Sequence, residues 1–109
     1  MPIDPTRHRA IAALIAACDG FEWDDGNRYK NWLTHGVSET EAEEAFISYP
    51  LLLSDDVKHS QGENRYIALG TSRKNRKLSI AFTIRKTKIR IISARDMSEK
   101  DRREYGEEA

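Results

Sequence analysis

At 109 residues, with 39% hydrophobic and 33% charged side chains, the chain supports one domain around one modest core, which excludes a second independent core. A single cysteine excludes an internal disulfide framework or a cysteine-based zinc cluster and fits a reducing, cytoplasmic setting; with three scattered histidines, neither a metal nor a cofactor is expected. The net charge of zero conceals a split: residues 1–55 carry four basic and ten acidic side chains, residues 56–109 carry fourteen basic and eight acidic, and Glu63 is the one acid among eleven Lys and Arg between Val57 and Arg95.

In chain order, DPTRHRAIAALIAAC begins like a helix. Asp4 can cap it, and Pro5 at its first position has a φ already suited to the helix. Ile11, Leu14, Ile15 and Cys18 recur at helical spacing, a face able to dock on the body or on a second subunit, and Gly20 is the expected stop. The weakly polar run from Ala10 to Cys18 is far shorter than the roughly 20 residues of a spanning helix. Arg7 and Arg9 ahead of it imitate a lipoprotein export signal, but the run is short and lacks a leucine block, so it reads as a helix.

Phe21-Glu22-Trp23 is a short strand candidate. Asp24 can cap a second helix carrying Tyr29, Trp32 and Leu33 on one face and closing at His35-Gly36. Ser38-Glu39-Thr40-Glu41 is a capping box for a third, with Ala42, Ala45, Phe46 and Tyr49 inward and Pro50 preventing continuation. Leu51–Leu53 reads as a strand, Asp55–Gly62 as a polar loop and Tyr66–Thr71 as a strand. KLSIAFTIR (77–85) alternates cleanly, and KIRIISAR (88–95) is apolar and β-branched; the short links between them predict an antiparallel meander. Ser98 with Asp101 opens a last helix to about Tyr105. The expected fold is α+β, a small antiparallel sheet of about four to five strands with helices on one face. Trp23, Trp32, Phe46 and Phe82 are expected in the core.

Several blocks together resemble a known family. FEWDDGNRYKNWLTHGVSETEAEEAF is similar to the opening signature of BrnT-type toxins, and DDVKHSQGENRYIALG, KLSIAFTIR and IRIISARDMSEKDRREY match its remaining blocks in order, from Phe21 to about Tyr105. The resemblance implies a RelE-like fold and a small ribonuclease toxin of a type II toxin–antitoxin module that cleaves RNA without a metal. It also implies a BrnA-type antitoxin with a ribbon-helix-helix DNA-binding part, which neutralises the toxin and represses the shared operon, so that operator DNA is reached through the antitoxin. Residues 21–109 would be the toxin domain and 1–20 a helical extension outside the usual family boundary. Thr34 stands where the family commonly has lysine.

Metal-independent RNA cleavage requires a base for the ribose 2′-hydroxyl, cations for the charge growing on the phosphorus oxygens, and an acid for the departing 5′-oxygen. Arginine suits the middle role because it is always charged and grips phosphate with two N–H groups. Arg85 and Arg95 stand at strand ends and Arg65 opens a strand; the alternative for Arg65 or Arg95 is a structural ion pair with Asp55, Asp56 or Asp96. His59 lies in a polar loop, and histidine is the side chain that titrates near neutral pH. Glu63, four residues on, is a candidate to orient it or to act as base; a loop-pinning hydrogen bond is the alternative use of His59. His35 fits helix capping. The resemblance implies a place near the scissile phosphate for Tyr105, whose other use is packing the last helix. Arg65, Arg73, Lys77, Lys88 and Arg90 are candidate RNA contacts, with a solvated strand surface as the alternative. Cys18 reads as a buried structural thiol, and His8 is given no role. Two other function classes share the charge pattern: a non-catalytic RNA- or ribosome-binding module, and a co-repressor subunit acting with a DNA-binding partner.

Overall fold

The computed structural model describes residues 4–24, 26, 30, 32 and 34–108. The first helix, α1 (Pro5–Ala16), starts where the Asp4 carboxylate accepts from the Thr6 backbone N–H at 2.9 Å. Ile11 is fully buried in the main core, with Ala12, Ile15 and Cys18 packed beside it, while Leu14 is largely exposed. Gly20 does not end the helix; the turn comes at Ala17, and Gly20 opens strand β1 (Gly20–Glu22). Burial raises the Cys18 thiol pKa above its ordinary value, consistent with an unreactive side chain.

Gly26, Lys30, Trp32, Thr34 and His35 are helical. Gly36, at φ +63°, donates its N–H to the Trp32 carbonyl at 2.9 Å and closes that segment, the left-handed position that favours glycine. Tyr29 and Leu33, expected on its inward face, lie outside the described residues. Trp32, expected in the core, is 58% exposed.

Helix α2 (Glu39–Phe46) is capped by Ser38, whose hydroxyl accepts from the Glu41 N–H at 3.2 Å. Ala42, Ala45 and Phe46 are buried as their spacing predicts. Tyr49 is almost fully exposed, because the helix stops at Phe46 and helical spacing no longer applies. Four further strands follow: β2 (Leu52–Asp55), β3 (Tyr66–Thr71), β4 (Lys77–Arg85) and β5 (Lys88–Asp96). They form one sheet in the order β1-β5-β4-β3-β2, with β1 parallel to β5 and every other pair antiparallel. The last helix, α3 (Glu99–Glu108), opens on a reciprocal capping box: the Ser98 N–H donates to Asp101 at 3.0 Å and the Asp101 N–H to the Ser98 hydroxyl at 3.1 Å. Among the described residues, no helix is long and apolar enough to cross a membrane.

The architecture is α+β, with an open five-stranded, mostly antiparallel sheet. Its two faces follow from the strand period of two. One face presents Tyr66, Ala68, Leu78, Ile80, Phe82, Ile89, Ile91 and Ala94 to α1 and α2. Phe46 meets Phe82 edge-on at 5.0 Å between ring centres. Gly70 lets α2 approach β3 closely, since a Cβ there would lie 2.5 Å from the Ala45 carbonyl oxygen. The helices do not all share this face. Tyr105 of α3 packs on the opposite one with Leu52, Leu69 and Met97. That small second core covers one end of the face and, among the described residues, leaves a concavity on the remainder.

Candidate functional site

On β4 the open part of the second face is built from small side chains. Along β4 the residues turned away from the main core are Ser79, Ala81 and Thr83, and across the strand pair Ser79 faces Arg95, Ala81 faces Ser93 and Thr83 faces Arg90. A bulge lies here: Ala81 faces Ser93 while Phe82 faces Ile91, so Ile92 is the extra residue on β5. Bulges bend a strand and re-aim its side chains. The result is a concavity of about 400 Å³ with Ile67, Ser79, Ala81, Ile92 and Ser93 as its apolar and hydroxyl lining and Lys30, Asp56, His59, Arg65 and Arg95 as its charged and ionisable lining.

Two of those groups come from one tightly tied loop. Val57–His59 forms a single 3₁₀ turn. The loop ends are joined where the Asp56 N–H donates to the Arg65 carbonyl at 2.9 Å. The Ser60 hydroxyl bridges them again, donating to the Asp56 carbonyl at 2.8 Å and accepting the Arg65 N–H at 3.0 Å. His59 and Arg65, six residues apart in sequence, are thereby presented to one cavity. His59 Nδ1 lies 3.0 Å from each Asp56 carboxylate oxygen. The Arg65 Nε is buried and, among the described residues, without a hydrogen-bond partner. A buried donor in that state has its full hydrogen-bonding capacity left for a ligand.

Arg95 is about half exposed, its guanidinium held at 2.9 Å by the Asp96 carbonyl and at 3.2 Å by Asp101, the capping residue of α3. None of the three acids considered as its partner pairs with it through a carboxylate: Asp55 makes a two-point ion pair with Arg7, with both contacts at 2.8 Å, Asp56 takes His59, and Asp96 takes Arg76 at 2.7 and 3.1 Å.

Other sequence-predicted residues are not brought into this concavity. Glu63 does not orient His59; it pairs with Arg85 at 3.0 and 3.2 Å, and the Arg85 guanidinium holds its carboxyl below the usual range. Lys88 pairs with Asp19 at 2.8 Å, and Arg90 pairs with Glu22 at 2.9 Å and with Asp24. Arg73 is exposed on the β3–β4 turn with Glu44 at 3.9 Å, and Lys77 is exposed at the start of β4. Tyr105 is buried; its hydroxyl donates to the Pro50 carbonyl at 2.7 Å and accepts from the Thr71 hydroxyl at 3.0 Å. His8, to which sequence gave no role, accepts the Leu53 N–H of the edge strand at 3.2 Å. Sequence reasoning did not pick out Lys30, Asp56, Ser79 and Ser93 as site residues. Lys30 carried a usable signal, being one of four basic residues in an acidic half. The serines carried none, because a serine on the polar side of a strand is ordinary.

Arrayed this way, the concavity can accept an anion from several directions, with a histidine held at its rim for proton transfer. A family model described as the ribonuclease toxin BrnT of type II toxin–antitoxin systems matches residues 23–101. No curated protein matches the chain. The family match spans well over half of the sequence and includes every residue that lines the concavity. The chain therefore belongs to the BrnT family of ribonuclease toxins of type II toxin–antitoxin systems.

Proposed function

We propose that this chain is an endoribonuclease that cleaves RNA without a metal, acts in the cytoplasm, and is neutralised by a BrnA-type ribbon-helix-helix antitoxin through which it reaches operator DNA. One observation carries the reading: Lys30, His59, Arg65 and Arg95 converge on a single concavity whose other lining is Ser79, Ala81, Ser93, Ile67 and Ile92. In this reading the guanidinium groups of Arg65 and Arg95, with Lys30, take the scissile phosphate and offset the charge that grows on it as the 2′-oxygen attacks. His59 serves in proton transfer. Arg85 and Glu63, tied to each other, and Tyr105, with its hydroxyl already bonded twice, stand outside this group. Of the remaining sequence candidates, Lys88 and Arg90 are ion-paired, Arg73 has Glu44 at 3.9 Å, and Arg73 and Lys77 lie exposed toward the β3–β4 turn, where they could extend the RNA path.

The test is incubation of the purified protein with total RNA in EDTA, alongside Arg95→Ala. Cleavage by the wild type in EDTA, with a loss of about 10²-fold or more in the variant, is the expected result. A folded wild type that binds RNA in EDTA and leaves it intact would sink the metal-free reading and favour a non-catalytic RNA-binding module.

A further inference from the structure

We propose that Asp56 is the positioning residue of His59 and decides which imidazole nitrogen is presented to RNA, an inference that rests on the ribonuclease reading above. The Asp56 side chain is only 15% exposed, and both its oxygens lie 3.0 Å from His59 Nδ1. Its main chain is held on both sides, by Arg65 at its N–H and by Ser60 at its carbonyl. The carboxylate thus rises from a held main chain and is itself largely buried, while the ring it meets is largely exposed. An ionised carboxylate only accepts hydrogen bonds, so the nitrogen facing it carries the proton. The neutral ring then has Nε2 bare, the form a general base requires. Glu63, the other acid near in sequence, is engaged by Arg85 and leaves this role to Asp56.

Charge points the same way. The groups around His59 are Lys58 on its own turn, Lys30 from the helical segment ahead of α2, Arg65 at the start of β3 and Arg95 on β5. Among the described residues that line the concavity, Asp56 is the one acid. When His59 becomes an imidazolium among these cations, Asp56 supplies the compensating negative charge. In the step itself the 2′-hydroxyl proton passes to Nε2, the O2′–P bond forms and the P–O5′ bond breaks. The departing 5′-oxygen takes a proton from solvent, and the imidazolium returns its own proton to solvent afterwards.

The test combines nitrogen NMR of the His59 ring with cleavage kinetics on wild type, Asp56→Ala, Asp56→Asn, His59→Ala and the double variant Asp56→Ala/His59→Ala. The wild-type neutral ring should carry its proton on Nδ1, and Asp56→Ala should lose that preference. In both Asp56 variants kcat should fall by about 10²-fold or more with KM nearly unchanged, and the isosteric Asp56→Asn should melt with the wild type. The double variant should be no slower than His59→Ala, because a residue that acts through His59 has nothing left to act on. A ring protonated on Nε2 in the wild type, an Asp56→Asn protein that cleaves like wild type, or a further loss in the double variant would each overturn the proposal. Should the wild type fail to cleave RNA at all, the ribonuclease reading falls. The ring spectrum still decides this one: Nδ1 protonation lost in Asp56→Ala upholds the positioning, and an unchanged spectrum refutes it.

Discussion

The open sheet face carries two groups of cations that look alike in sequence and differ in what folding pairs with them. Toward β1, Arg90 and Lys88 are matched by Glu22, Asp24 and Asp19 from the acidic N-terminal half, and Arg85 is matched by Glu63. Among the described residues around the concavity, Arg65 keeps a buried donor without a partner, and Asp56 is the single lining acid. Formal charge is therefore a poor guide to available charge. The positive half of the chain is partly neutralised by the negative half folding against it, and the acids of the first strand do not line the concavity. Arg76 belongs with the neutralised group. It donates to Asp96, to Glu41 and to the carbonyls of His35 and Gly36, tying the β3–β4 turn to the helical segment that ends there.

The sharpest way to break this comparison is to cut one arginine from each group. Arg65→Ala should reduce cleavage by about 10²–10³-fold, as expected for loss of one donor to a developing oxyanion, whereas Arg90→Ala should leave kcat near wild type. Arg95→Lys should recover little of what Arg95→Ala loses, because an ammonium does not reproduce the planar fork. Equal losses in Arg65→Ala and Arg90→Ala, on protein of unchanged melting temperature, would erase the distinction between the groups.

Stability reads the other side. Arg76→Ala should cost about 1.5–3 kcal/mol, the scale for hydrogen bonds to charged groups, and lower the melting temperature while leaving cleavage per folded molecule intact. The effect should depend on pH with a definite sign. The Arg76 guanidinium holds the Asp96 carboxyl below its ordinary range. A group whose pKa is lower folded than unfolded stabilises above its unfolded value, and that stabilisation is lost as pH falls through the folded one. The gap in stability between wild type and Arg76→Ala should thus be full at neutral pH and narrow below about pH 4. A gap that widens in acid would contradict the assignment.

The smallest effect is on salt dependence. Each phosphate contact on a single strand contributes a slope of about −0.7 to log K against log salt. Arg65→Ala should make the slope shallower by about that amount, and Arg90→Ala should not. Binding isotherms of a non-cleavable RNA at several salt concentrations decide it; identical slopes for the wild type and Arg65→Ala would remove Arg65 from the phosphate site.

Much of the scaffold could be read from neighbours along the chain. The Asp4, Ser38 and Ser98–Asp101 caps, the alternation of Leu78, Ile80 and Phe82, and the meander of β3, β4 and β5 depend on interactions within a few residues or on a strand's own period. The family resemblance was likewise carried by ordered local blocks. What the sequence did not disclose depends on contacts across the fold. Trp32 and Tyr49 lie in apolar-looking positions yet face solvent, because exposure is set by what packs opposite. The resemblance points Tyr105 toward the scissile phosphate, and in the fold Pro50 and Thr71, more than thirty residues away, take its hydroxyl. Spacing alone suggests Glu63, four residues downstream, as the partner of His59; the partner lies three residues upstream at Asp56, because the 3₁₀ turn brings that carboxylate to the ring while Arg85 takes the other. Short-range patterns are written in one dimension and survive folding unchanged. The pairing of charges is a competition among all the groups that folding brings within a few ångströms, and its winners are set by strand order and register.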